Sequence, residues 1–98
     1  MITLLALVTK RQNLDRKQAA DAMRFLMSGE ATATQIGAFL AALRTKGETT
    51  DEISGFAEVM REMATPIKTT RRPLIDTCGT GGDHAGTFNI STTAAFVV

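Results

Sequence analysis

Apolar positions recur with helical spacing over the first two thirds of the chain. Thr3 to Lys10 is a short run, apolar on most sides, closed by the cations Lys10 and Arg11, which suit a helix C-terminus. A helix with no polar face needs cover from other elements or from a second subunit. Asp15, with Gln18 three residues on, is a capping box that starts a second helix. Ala19, Ala20, Met23, Leu26 and Met27 then share one stripe, and Gly29 follows as the residue beyond the C-cap. Thr32 with Gln35 opens a third helix, in which Ile36, Phe39, Leu40 and Leu43 repeat at i, i+3, i+4 and i+7, and Gly47 ends it. Thr49 with Glu52 opens a fourth, lined by Ile53, Phe56, Ala57, Met60 and Met63, and Pro66 forbids its continuation. Capped helices with matching stripes predict a helical bundle over residues 1–66.

The pattern then breaks. Residues 67–73 hold two Thr, Lys68, Arg71, Arg72 and Pro73, and read as a linker or hinge. The cations there are either solvated or meet an anionic ligand. Leu74–Cys78 reads as a short strand, 79–86 as a loop with half of the chain's glycines, and Asn89 or Ser91 as the start of a helix containing Thr92 to Val98. The predicted fold class is mainly α: an N-terminal helical bundle domain followed by the first strand-loop-helix of a truncated α/β domain, residues 74–98. The apolar run Ala94–Val98 looks like the middle of a buried element, whereas natural termini are usually polar, so a longer protein is expected. A lone strand has no sheet to pair with, which leaves the backbone groups of this segment without native partners.

Composition narrows the function classes. At 98 residues, 44% hydrophobic and 21% charged, the chain is in the ordinary globular range. A net charge of +1 gives no strong field for nucleic acid or an anionic membrane, so neither is expected as a partner. One Cys excludes an internal disulfide and a Cys-based zinc site. No apolar run approaches the ~20 residues that span a bilayer. Met1–Val8 is apolar, but its cations follow it instead of preceding it, so it is not read as a signal peptide. A cytoplasmic protein is the expectation.

The glycine loop carries the candidate chemistry. Gly79-Thr80-Gly81-Gly82-Asp83 lies between a strand end and a helix start, where glycines let backbone N–H groups approach an anion and the helix opening adds further amides and a positive dipole end. Thr80, Thr87, Asn89, Ser91 and Thr92 supply neutral hydroxyl and amide groups for phosphate oxygens or a hydrated cation. No Lys follows these glycines, which excludes a Walker A loop, and His84 replaces the third glycine of a dinucleotide fingerprint. Asp83 repels bare phosphate, so it binds a ribose hydroxyl or works through a divalent cation such as Mg²⁺, or else only stabilises the turn.

Asp76-Thr77-Cys78-Gly79-Thr80-Gly81-Gly82-Asp83, followed by Gly86-Thr87-Phe88-Asn89-Ile90-Ser91-Thr92, closely resembles the signature of the anthranilate phosphoribosyltransferase family of tryptophan biosynthesis. Met27-Ser28-Gly29-Glu30-Ala31-Thr32 and Gln35-Ile36-Gly37-Ala38-Phe39-Leu40 are similar to that family in order and spacing. The resemblance implies a glycosyltransferase that moves the phosphoribosyl group of phosphoribosyl pyrophosphate to the amine of anthranilate, with Mg²⁺ as cofactor. It also implies a homodimer formed through the helical domain. Gly79 would contact both the donor and anthranilate. Gly82, Asp83 and Thr87 would hold the donor, and Asn89, Ile90, Ser91 and Thr92 would wrap the pyrophosphate, with Ser91 also a Mg²⁺ ligand. No residue of this stretch is implied as a catalytic acid or base. The family's Lys-His-Gly-Asn segment, its anthranilate-contacting Arg and its Asp-Glu metal pair would fall beyond Val98, so this chain alone is expected to be nearly inactive. His84 stands where the family often has Gly and is expected to be a tolerated variant.

Two other readings compete. Pyrimidine nucleoside phosphorylases share the architecture, but they carry a Lys where Thr77 stands, and Asp83 directly after Gly82 favours the transferase. A non-enzymatic helical dimerisation module is the other. Cys78 is expected to be a small buried residue, its alternative being a nucleophile served by His84.

Overall fold

Each of the middle helices begins where a side chain can satisfy the first free amides. In the computed structural model, which describes residues 1–79, 81, 84 and 86–98, α1 is Ile2–Thr9, α2 Arg16–Met27, α3 Ala33–Lys46, α4 Thr50–Met63 and α5 Ile90–Val97. Asp15, Thr32 and Thr49 are the N-caps of α2, α3 and α4, and each forms the reciprocal capping box read from the sequence with Gln18, Gln35 and Glu52. Gly29 and Gly47 sit at φ 82° and 84° at the C-terminal ends of α2 and α3, a left-handed setting that glycine adopts without a Cβ penalty.

The chain divides into two units, Met1–Pro66 and Ile67–Val98. In the first, α2 packs on α4 and α1 on α3. Val8, Leu14, Ala19, Ala22, Phe39, Leu43 and Phe56 form its core. The Phe39 and Phe56 rings meet edge to face at 6.3 Å and 78°.

The buried faces depart in part from the expected stripes. On α4 the buried positions are Glu52, Gly55, Phe56 and Val59, while Ile53, Met60 and Met63 are exposed, and Leu40 of α3 and Met27 of α2 are exposed as well. The reason is a close helix crossing. A Cβ on Gly55 would lie 2.4 Å from the Arg16 carbonyl oxygen and 2.9 Å from Ala19 Cβ, so α2 and α4 meet through their smallest residues, and α4 is turned accordingly. The α1 run of apolar residues is covered mainly at Val8; Ile2 is exposed.

A polar knot also lies in this unit. Glu52 is fully buried and accepts hydrogen bonds from Leu14 N–H and Thr49 N–H, each at 2.8 Å. The equally inaccessible Lys46 ammonium donates to Glu52 Oε2 at 2.8 Å, to Asn13 Oδ1 at 3.0 Å and to the Gly47 carbonyl at 2.7 Å. Burial pushes the Glu52 carboxyl up. The Leu14 N–H, the Lys46 ammonium and the Thr49 N–H together outweigh that and hold it below its ordinary value. The knot ties the end of α3, the start of α4 and the segment before α2.

In the second unit, α5 is preceded by irregular chain. Leu74–Cys78 forms no strand, because a strand is completed by a neighbour and none lies among the described residues of this unit.

Candidate functional site

The glycine loop and the start of α5 are joined by side chains that accept from the backbone. Asp76 Oδ1 accepts from Cys78 N–H at 2.8 Å and so shapes the entry to the loop. Ser91 Oγ accepts from Gly79 N–H at 3.2 Å, across twelve residues of chain. Asn89 is the N-cap of α5: its Oδ1 accepts from Thr92 N–H at 3.1 Å, and its carbonyl oxygen accepts from the Thr93 hydroxyl at 2.9 Å. Gly81 and Gly86 adopt φ 72° and 64°, and His84 is left-handed at φ 53°. A left-handed conformation is uncommon for a residue with a Cβ, so His84 fits a position better suited to glycine at some conformational cost.

These bonds gather most of the expected residues around one concavity of about 410 Å³, lined by Gly79, Gly81, Thr87, Phe88, Asn89, Ile90 and Ser91. Thr92 lies apart from it, on a neighbouring surface with Thr77 and Cys78. Gly82 and Asp83, both expected to hold the donor, lie outside the described residues. Two of the amides expected to face an anion, those of Gly79 and Thr92, already have protein acceptors. The first amides of α5, Ile90 and Ser91, have no acceptor among the described residues, as the geometry of a helix N-terminus dictates. The site thus offers helix-end N–H groups, the Thr87 and Ser91 hydroxyls and, at Gly79 and Gly81, backbone without side chains. Such a surface suits a polyanion.

Cys78 is exposed, contrary to the buried role expected for it; the described residues of this unit bury no side chain and so provide no interior for a thiol. Gly81 and Phe88 line the concavity without having been singled out. The signal for Gly81 was its place in the glycine run, and for Phe88 its position just before the cap.

A divalent cation can be tested against the donor set. Among the described residues, no group of three or more His, Cys, Asp or Glu side chains is placed to hold a metal. Ser91 Oγ is a hard neutral oxygen that keeps a lone pair beyond the one accepting from Gly79 N–H. It therefore fits a Mg²⁺ ion held chiefly by water and substrate phosphates, which is how that ion is usually bound.

The family model described as a glycosyl transferase family helical bundle domain matches residues 2–64, and the model for the a/b domain of that family matches residues 71–98. The chain belongs to this glycosyl transferase family. Its curated relatives include the anthranilate phosphoribosyltransferase of Moorella thermoacetica, 59% identical over 91 residues, which are 93% of this chain and 27% of the relative. The anthranilate phosphoribosyltransferase of Symbiobacterium thermophilum is 57% identical over 98 residues, 100% of this chain and 29% of the relative. That of Chloroflexus aurantiacus is 60% identical over 93 residues, 95% and 27% respectively. The chain thus spans a little over a quarter of the length of the curated relatives it matches. A helical bundle followed by the start of an α/β domain, the fold class predicted from the pattern of residues, agrees with the matches of the family's two domain models. No helix among the described residues is long and apolar enough to cross a membrane.

Proposed function

We propose that this chain supplies the helical domain and the first part of the donor site of an anthranilate phosphoribosyltransferase, a cytoplasmic enzyme of tryptophan biosynthesis. The enzyme would transfer the phosphoribosyl group of phosphoribosyl pyrophosphate to anthranilate. The observation that carries this reading is the concavity where described residues of the glycine loop meet the first amides of α5, Ile90 and Ser91, which have no acceptor among the described residues. Relatives of that printed name, 55–60% identical over nearly the whole chain, point the same way.

The chemistry follows from charge. Breaking the bond between the sugar and pyrophosphate places negative charge on the leaving group. Preorganised N–H donors at Ile90 and Ser91, with the Thr87 hydroxyl, stabilise the leaving group more as that charge grows. The Asn89 cap fixes the helix end, so these donors need not reorganise during reaction. Gly79 would leave room for the donor and for anthranilate, while Gly82 and Asp83 would hold the donor, Asp83 through its ribose or a cation. Ser91 would hold Mg²⁺ through Oγ; the ion supplies charge neutralisation at the diphosphate. An aromatic amine is already a neutral nucleophile, which is why no general base is assigned to this stretch. Residues 67–73 serve as the linker between the helical domain, 1–66, and the donor-binding part, 74–98.

Dimerisation through the helical domain completes the proposal. Its support is apolar exposure on the first unit: Ile2, Leu40, Ile53 and Met60 are each more than half exposed. A sedimentation coefficient that rises with concentration is expected, and a strict monomer would remove this part.

Calorimetric titration tests the donor site. Phosphoribosyl pyrophosphate with Mg²⁺ should bind measurably more tightly than ribose 5-phosphate, which lacks the diphosphate. Equal affinities, or preferential binding of thymidine with inorganic phosphate, would replace the transferase reading with that of a nucleoside phosphorylase or of a non-catalytic module.

A further inference from the structure

Ser91 is a helix residue whose hydroxyl does not serve its own helix. Its Oγ accepts from the N–H of Gly79 at 3.2 Å, twelve positions earlier in the chain, with most of the glycine run between the two. This contact fastens Gly79 to the first turn of α5. The distance that a Cβ on Gly79 would keep from Ser91 Oγ, 3.7 Å, is ordinary van der Waals contact, so the two residues meet without crowding. Ser91 is also partly shielded, whereas Gly79, Thr87, Asn89 and Ile90 are exposed. Both ends of the bond line the same concavity.

We infer that Ser91 is a positioning residue that fixes the Gly79 N–H against the first turn of α5 before any ligand arrives. The inference rests on the reading of the loop as a diphosphate site. It adds that the Ser91 hydroxyl acts on the loop backbone as well as on a cation. A hydroxyl oxygen has two acceptor lone pairs and one proton. One lone pair takes the Gly79 amide, and among the described residues nothing else bonds to this hydroxyl, which leaves a lone pair for a divalent ion and a proton for a phosphate oxygen. Placement of the Gly79 amide and ion binding therefore meet at one atom. With the hydroxyl removed, the Gly79 amide is released and must be placed at the expense of ligand binding.

The test uses the full 98-residue chain, inorganic pyrophosphate as probe, and the variants Ser91→Ala and Ser91→Thr. In the ligand-free chain, Ser91→Ala should move the Gly79 amide proton resonance upfield and steepen its temperature coefficient, and Ser91→Thr should restore both. Pyrophosphate affinity should fall about fivefold in Ser91→Ala with the metal chelated, the worth of one neutral hydrogen bond, and further with Mg²⁺ present. An unchanged Gly79 resonance in Ser91→Ala overturns the inference. So does an affinity loss seen only with Mg²⁺, which would make Ser91 a metal ligand alone. If pyrophosphate fails to bind the unaltered chain, the diphosphate reading falls, and the Gly79 resonance still decides whether the hydroxyl fixes the Gly79 amide.

Discussion

The two units of this chain are built on different terms. Met1–Pro66 has a buried core, an edge-to-face aromatic pair and a charge knot closed to solvent. Among its described residues Ile67–Val98 buries no side chain, and it leaves Phe88, Phe96 and Val97 more than two thirds exposed. The first unit buries a set of its apolar residues against one another. The second keeps its order through local acceptors, Asp76, Asn89 and Ser91, each bonded to a backbone amide. A packed core fixes positions by volume. A capped loop fixes only the direction of a few N–H groups, which is what binding an anion requires.

The contrast predicts a graded set of outcomes. The largest separates the two phenylalanines. Phe39→Ala empties a fully buried site and should cost about 3–5 kcal/mol in urea unfolding of the bundle, whereas Phe96→Ala, 89% exposed, should stay within about 0.5 kcal/mol. Comparable losses at both positions would mean that the second unit has a core of its own. Next is Lys46→Met, which strands the buried Glu52 carboxylate and should cost about 3 kcal/mol, against a null result if water reaches the pair. Gly55→Ala forces apart the α2–α4 crossing, for about 2 kcal/mol by the same measurement.

Acid titration gives a smaller effect. The Glu52 carboxyl is held below its ordinary value in the folded chain, so the unfolded chain binds the proton more readily. Its stabilising contribution is then present above the unfolded carboxylate value of about 4.3 and is lost as pH falls through the lower folded value. Glu52→Gln should flatten that acid limb while lowering stability at neutral pH; an unchanged limb would place the effect on other carboxylates. Smallest of all is Arg24→Ala. Its pairs with Asp21 and Glu62 are solvent-exposed, and the urea midpoint should barely move, less still in high salt.

Legibility in the sequence followed the same division between local and distant causes. The caps at Asp15, Thr32 and Thr49 were readable because each box closes within three residues. The face of α4 was not: a stripe of large side chains, Ile53, Met60 and Met63, looked like the core, but Gly55 decides the crossing by what it lacks. Glu52 was read as a capping residue, which it is; its burial against Lys46 and Leu14 depends on a segment 38 residues away, beyond any local pattern. At the site, the glycine motif and the Asn89 cap were visible in order and spacing. The Gly79–Ser91 bond was not, because a hydroxyl in a helix start gives no sign of the amide it will accept. A strand at 74–78 was legible as propensity alone, and propensity without a neighbouring strand makes no ladder.

The account depends most on the claim that the loop and the start of α5 form an anion cradle. Residue-resolved amide spectroscopy of the 98-residue chain, titrated with pyrophosphate and Mg²⁺, tests this directly. Shifts should concentrate at Gly81, Thr87, Ile90 and Ser91 and leave residues 1–66 where they are. Shifts centred on the cations of the helical bundle, or none at all at saturating ligand, would contradict it.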